Sequence, residues 1–351
     1  DKNSEILVVC GSGNNGGDGY VCAAELLRRG YNAKVYACGG RLSEDCRREK
    51  EQFSGTYART IAGDVIVDCI FGTGLCREVA GEYADIINAI NASGAYVISA
   101  DIPSGLSSDS GQILGTAVRA DKTVAIAELK AGFALASGFD CCGTVVVKDI
   151  GICPDEGGYA AVYDDSHIAK FYPARPRNSH KGTFGTATLV CGSAQYVGSA
   201  VLAVSAALKS GCGYVKAVCA DEVKAAIAPN FPQTVFSVQP DLSSRAIAIG
   251  MGCGASQALH DAIDYLLKEY SGTLIIDADG LNSLAMYGTD ILKDKKCNVI
   301  LTPHIKEFSR ISGKTAGEVL AAPVACAQQL AREYAATIVL KGAGTVITDG
   351  R

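Results

Sequence analysis

The feature that most constrains how this chain can fold is a repeated unit. It consists of a short Val/Ile-rich run, a glycine or an acid at its end, and then an amphipathic stretch. In the first half the runs are Ile6–Cys10, Ala33–Cys38, Asp64–Cys69, Ala95–Ala100, Thr123–Ala127 and Thr144–Val147. They read as continuous rather than alternating, so they are expected to be strands buried on both faces of a parallel sheet. The stretches Tyr20–Arg29, Glu44–Phe53 and Tyr83–Ala92 suit helices that cover such a sheet.

A second cycle follows Tyr163–Arg177, which holds Pro173 and Pro176 with several charges and reads as a connector. Its strands fit Ala187–Cys191, Tyr214–Cys219, Ala246–Ile249, Thr273–Ile276, Asn298–Leu301, Thr337–Leu340 and Thr345–Ile347. Helices fit Ser199–Lys209, Ala255–Lys268, Glu307–Ile311 and Gly317–Tyr334, and no short repeat signals a solenoid. A length of 351 residues is comfortable for two domains. The expectation is therefore two α/β domains, residues 1–160 and 165–351.

Composition narrows the function classes. With 48% hydrophobic and 20% charged residues the chain can build cores, which rules out disorder. No apolar run approaches the roughly 20 residues a bilayer span needs, so no membrane partner is expected. A net charge of −5 gives no basic surplus for nucleic acid. The 15 cysteines include no CxxC pair, and many, such as Cys10, Cys69, Cys191 and Cys219, sit in apolar runs. They are expected to be reduced, buried thiols in a cytoplasmic protein. Four histidines, His167, His180, His260 and His304, argue against a zinc cage. The chain opens at Asp1 without a signal-peptide pattern and stops at Arg351 soon after an apolar segment; both ends are expected to be incomplete.

The first cluster of chemistry is Gly11-Ser12-Gly13-Asn14-Asn15-Gly16-Gly17-Asp18-Gly19, after a strand and at the opening of a helix. Five glycines in nine residues let backbone approach a ligand closely, and helix-start amides can receive an anion. GxGxxG is satisfied, but the second strand ends Cys38-Gly39-Gly40, without the acid that a dinucleotide-binding domain wants there. Asp68 ends the third strand ahead of Phe71–Arg77, and Asp101 ends the next ahead of Ile102–Leu106. Ligands of open α/β sheets bind beyond the carboxyl ends of strands, so two carboxylates and a glycine loop should converge. The bland alternative for each aspartate is a helix or loop cap.

The order NNGGDG (Asn14–Gly19), Asp68, Gly72-Thr73-Gly74 and Asp101-Ile102-Pro103-Ser104-Gly105 resembles the NAD(P)HX epimerase family over residues 5 to about 150. That resemblance implies a Rossmann-like fold, interconversion of the two C6 epimers of hydrated NAD(P)H, and a potassium ion beside the ligand. By position, Asn15, Asp68 and Ser104 would face potassium. Asn14, Asn15, Gly16, Gly17 and Asp18 would line the substrate site. So would Gly72, Thr73, Gly74, Leu75, Cys76, Arg77, Glu78, Tyr83 and Asp101. Oxygen donors of this kind suit a hard cation. Asp101 is the choice for general acid/base work. The family's leading helices, which help it dimerise, would precede Asp1, and a homo-oligomer is expected.

In the second half, Ser179–Gly185, Gly250–Gly254, Asp277–Asn282, Thr302–Glu307 and Lys341–Thr345 collect glycine, acid and basic residues around predicted strands. Any one alone is more often an ordinary turn. Together, HKGTFG, DADGLN, LTPHxxEF and LKGAGT resemble the ADP/ATP-dependent NAD(P)H-hydrate dehydratase family over residues 165–351. The resemblance implies a ribokinase-like fold in which ADP or ATP phosphorylates the C6 hydroxyl and phosphate then leaves. Ser199, Gly252 or Gly254, and His304 would touch the hydrate, with Ser199 standing where the family usually has alanine. Lys341, Gly342, Ala343, Gly344 and Thr345 would meet the nucleotide, and Glu307 matches the magnesium-associated acid. The family's GTGD loop, which carries the catalytic base, would lie beyond Arg351. Two other readings compete: a small-alcohol kinase fused to a Rossmann module, which would release a stable phosphoester, and a non-catalytic nucleotide-binding scaffold, which epimerase turnover would exclude.

Overall fold

A computed structural model describes residues 2–152, 160–163, 165–172 and 174–351. The chain divides into two compact units, Asp1–Val162 and Tyr163–Arg351.

Unit 1 runs β1 (Glu5–Cys10), α1 (Asn14–Arg28), β2 (Asn32–Ala37), α2 (Glu44–Gln52), β3 (Thr56–Tyr57), β4 (Val65–Cys69), α3 (Glu82–Ala92), β5 (Tyr96–Ala100), β6 (Lys122–Ile126), α4 (Gly138–Cys141) and β7 (Thr144–Lys148). Seven strands form one sheet in the order β3-β2-β1-β4-β5-β6-β7, and every pairing is parallel. The continuous apolar runs are explained by cores on both faces. Ile6, Val8 and Cys10 of β1 join Tyr20 and Ala23 of α1, whereas Leu7 and Val9 join Ile86, Ile87 and Ile90 of α3. Each such fully buried side chain contributes about 1.5–3 kcal/mol.

The largest departure from the sequence reading is the start of α1. It begins at Asn14, not Tyr20, so the glycine run is the first turn and a half of the helix instead of a loop before it. Glycine is a poor helix former, but here the helix lies too close to its neighbours for anything larger. A Cβ on Gly16 would lie 2.0 Å from Gly11 O, and one on Gly19 would lie 2.7 Å from Cys10 Sγ and 2.8 Å from Cys69 Cβ.

Unit 2 runs α5 (Asp165–Ala169), β8 (Thr186–Val190), α6 (Val197–Lys209), β9 (Tyr214–Val218), α7 (Asp221–Ile227), β10 (Val235–Phe236), β11 (Ala246–Ile249), α8 (Gln257–Glu269), β12 (Thr273–Ile276), α9 (Asp279–Tyr287), β13 (Asn298–Leu301), α10 (Ile305–Ser312), α11 (Ala316–Ala321), α12 (Pro323–Tyr334), β14 (Thr337–Leu340) and β15 (Val346–Thr348). Its sheet order is β10-β9-β8-β11-β12-β13-β14-β15, parallel except for the β14–β15 pair. Part of the expected connector forms α5, and Pro173 lies outside the described residues. The helix expected over Gly317–Tyr334 is two helices. Pro323 lacks the N–H needed inside a helix and takes the first position of α12 instead.

Candidate active sites

In unit 1 the chain winds outward from β1 to β3, then returns to place β4 on the other side of β1. The carboxyl ends of β1 and β4 therefore diverge into a crevice, the place where open parallel sheets hold ligands. A cavity of about 930 Å³ opens there, within the range of small-molecule sites. Asn14, Asn15 and Asp18 of α1 line it, with Gly72, Thr73, Gly74, Leu75, Cys76 and Arg77 after β4, Asp101 after β5, and Lys130 after β6.

Asp68 is completely buried at the end of β4. Its Oδ2 accepts from Ser99 Oγ (2.8 Å) and Ser104 N (2.9 Å), and its Oδ1 accepts from Ser104 Oγ (2.6 Å) and Ile70 N (3.2 Å). Burial pushes its pKa up, and these hydrogen bonds oppose the shift. Ser104 Oγ also accepts from Phe71 N at 2.8 Å. One carboxylate thus ties the loops after β4 and β5 together. Asn15, also buried, donates Nδ2 to Ala100 O (3.4 Å), while its Oδ1 is buried with no hydrogen-bond partner.

Asp101 adopts φ +69°, left-handed backbone that aspartate visits more readily than most residues. Its Oδ1 accepts from Lys130 Nζ at 2.5 Å, and Lys130 Nζ also donates to Ile126 O at 2.7 Å. A Cβ on Gly72 would lie 3.3 Å from Asp101 Oδ2 and 3.5 Å from Asn15 Cβ, so glycine leaves that oxygen uncrowded. Asp18, exposed at the same cavity, has its pKa raised, first by partial desolvation, then by the charges of Asp101 and Glu49.

Other predicted positions do not line the cavity. Gly16 is packed on Gly11 and Gly17 on Cys46. Glu78 is exposed and outside the lining. Tyr83 acts on the surrounding structure: its hydroxyl donates to Gly39 O (2.5 Å), and its ring stands 4.8 Å from that of Phe71. Sequence reasoning missed Lys130, because a single lysine in Glu128-Leu129-Lys130 carries no pattern; its place just beyond a strand end was the available signal.

In unit 2 the corresponding reversal lies between β8 and β11. Ser199, in the first turn of α6, meets Gly252 after β11, where an added Cβ would lie 2.7 Å from Ser199 Cβ. Gly254 N donates to Asp279 Oδ2 at 2.8 Å. A second group forms beyond β13 and β14. Lys341 N donates to Pro303 O (2.8 Å), which brings His304 beside Lys341, and Lys341 Nζ donates to Asp277 Oδ1 (2.8 Å). Lys341 opens the segment that continues through Gly342, Ala343, Gly344 and Thr345 into β15.

His304 caps α10. Its Nδ1 accepts from Lys306 N (3.1 Å) and Glu307 N (3.3 Å), which leaves the neutral ring's proton on Nε2. Glu307 is nearly buried, and its Oε2 accepts from His304 N at 2.9 Å. His304 and Glu307 thus form a reciprocal capping box, and His304 Nε2 lies 3.5 Å from Glu307 Oε1. No group of three His, Cys, Asp or Glu able to hold a metal occurs among the described residues. Magnesium normally uses only one or two carboxylates, with phosphates and water completing its shell.

Each unit is thus a largely parallel α/β sheet with polar residues gathered beyond the carboxyl ends of its strands, the pattern of a two-domain protein that handles small polar ligands. Residues 1–132 match the family described as YjeF-related protein N-terminus, and residues 187–350 match NAD(P)H-hydrate dehydratase. The bifunctional NAD(P)H-hydrate repair enzyme Nnr of Thermofilum pendens is 34% identical over 98% of this chain and 72% of its own length. That of Moorella thermoacetica is 32% identical over 99% of this chain and 74% of its own. An ADP/ATP-dependent NAD(P)H-hydrate dehydratase from Bacillus subtilis, co-crystallised with ATP and Mg2+, is similar at 32% identity and a TM-score of 0.48, covering 53% of this chain and 68% of that one. The chain belongs to the family of bifunctional NAD(P)H-hydrate repair enzymes, with an α/β epimerase domain followed by an α/β dehydratase domain.

Proposed function

We propose that unit 1 interconverts the C6 epimers of hydrated NADH or NADPH, and that unit 2 dehydrates the S epimer at the expense of ADP or ATP. Family membership supports both halves. The observation that carries the first is Asp101, a carboxylate held by one oxygen, with the other uncrowded beside Gly72 in the cavity. At a carbinolamine carbon the ring nitrogen's electron pair can expel the C6 hydroxyl. The departing hydroxyl takes a proton from the Asp101 carboxyl and leaves as water, and the resulting carboxylate takes a proton back from the water that adds, which restores Asp101. Asn14, Asn15, Asp18 and the loop of Gly72–Arg77 orient the ligand.

Asn15, Asp68 and Ser104 are the proposed potassium residues. The buried, unpartnered Oδ1 of Asn15 fits a monovalent cation, which would give that oxygen the partner it lacks, while Asp68 supplies negative charge. In unit 2, Ser199, Gly252, Gly254 and His304 face the hydrate, and Lys341 to Thr345 take the nucleotide. Magnesium accompanies the nucleotide phosphates, with Glu307 as the nearby acid. A cytoplasmic, homo-oligomeric protein acting on small molecules fits this chemistry.

The test is epimerisation of purified NADHX followed by chromatography of the two epimers, in potassium and in sodium buffers. Asp101→Asn keeps the shape and the left-handed backbone preference but removes the base, so the rate should fall at least about 100-fold with the fold intact. Turnover near wild type in that variant would reduce Asp101 to a cap, and indifference to the cation would remove potassium.

A further inference from the structure

Among the described residues Asp18 and Asp101 are the aspartates that line the unit 1 cavity, and Asp101 carries a cation. Lys130 supplies that cation from a separate element, and the path that brings it there is closely specified. Ala127 turns the chain back at φ +64°, an unfavourable conformation for alanine. Ala127 N donates to Lys148 O (2.9 Å) and Glu128 N to Ile126 O (2.9 Å), which pins the turn to the ends of β6 and β7. Lys130 then leads into a 3₁₀ turn over Ala131–Ala134.

The side chains of Lys130 and Asp101 are only 16% and 15% exposed, so their attraction is weakly screened and each would be costly to leave alone. Two of the three ammonium donors are committed, one to Asp101 Oδ1 and one to Ile126 O. The carboxylate is thereby fixed by one oxygen and its rotation is stopped, with Oδ2 beside Gly72.

We propose that Lys130 is a positioning residue for epimerisation, which locks the Asp101 carboxylate so that Oδ2 is presented to C6 of the substrate. The proposal rests on the epimerase reading of unit 1. Its signature is a dependence of each residue on the other. With Asp101 intact, loss of Lys130 frees the base to rotate and pair elsewhere. With Asp101 gone, Lys130 has nothing left to position.

The experiment is a double-mutant cycle on the full chain, measuring kcat and KM for NADHX with Lys130→Met, Asp101→Asn and the two combined, each checked by circular dichroism. Lys130→Met should lower kcat by about 10- to 100-fold, the scale of a misplaced catalytic group, with KM changed less than about 2-fold. Added to Asp101→Asn it should cost no more than about 2-fold further, and Lys130→Arg should regain part of the loss. Additive losses would make Lys130 structural, and a raised KM at unchanged kcat would make it a substrate-binding lysine; either overturns the proposal. If the Met variant does not fold, Lys130→Gln, which keeps a donor for Ile126 O without the charge, reads the same cycle, and wild-type kcat there overturns it equally. Absence of epimerisation in the wild-type chain would instead refute the epimerase reading itself.

Discussion

Asp18 shows how one residue can face two demands. It stands at the cavity, where partial desolvation and the charge of Asp101 raise its pKa. A carboxyl whose folded pKa exceeds its unfolded one binds protons more tightly in the native state, so ionising it weakens the fold. The penalty is absent at a pH below the unfolded value, grows as pH rises through the window up to the folded value, and stays constant above it. Asp18→Asn should therefore raise the melting temperature slightly at pH 7, by less than about 2 °C for so exposed a group. The difference should vanish near pH 3, and melting curves across that range check it. Asp18, Asp68 and Asp101 were legible as site candidates because strand ends and glycine runs mark ligand crevices. Their partners were not. That Ser99 and Ser104 would saturate Asp68, or that Lys130 would reach Asp101, depends on which loops the sheet order brings together.

At the scale of elements, the strands expected from continuous apolar runs occur within a residue of their bounds, as at Ala246–Ile249 and Asn298–Leu301. The two-residue strands β3 and β10 were invisible because so short a segment has no period. Helix α1 was misjudged for the opposite reason: local propensity argued against a helix through three glycines, and packing against β1 and β4 overrode it. That packing predicts an inverted response to alanine. In an exposed helix Gly→Ala would gain about 1 kcal/mol. Gly16→Ala should instead lose about 1–3 kcal/mol, since its Cβ would meet the backbone oxygen of Gly11 at 2.0 Å. Urea unfolding of unit 1, followed by tyrosine fluorescence, would return a gain if the close approach were not real.

Over the whole molecule, the two units have separate cores and separate chain reversals, so their ligand sites should be separable by mutation. Lys341 is the discriminating residue. Its ammonium group rests on Asp277, and under the function proposed above it meets the nucleotide phosphates. Lys341→Met should weaken ADP or ATP binding by about 10-fold in titration calorimetry, the loss of one charge-assisted hydrogen bond. Epimerisation of NADHX by the same variant should be unchanged. A matching fall in epimerisation would mean that the two sites are coupled.

The left-handed backbone at Asp101 also bears on how this protein can change over generations. Glycine would relieve the strain at that position, and asparagine would tolerate it at least as well. A library screened for folding alone should therefore admit glycine and asparagine at residue 101 alongside aspartate, since the backbone favours them and the unpaired Lys130 ammonium opposes them. The same library screened for turnover should return aspartate almost exclusively. The divergence between the two enrichment profiles would mark this residue as one that selection holds for its carboxylate and not for its backbone.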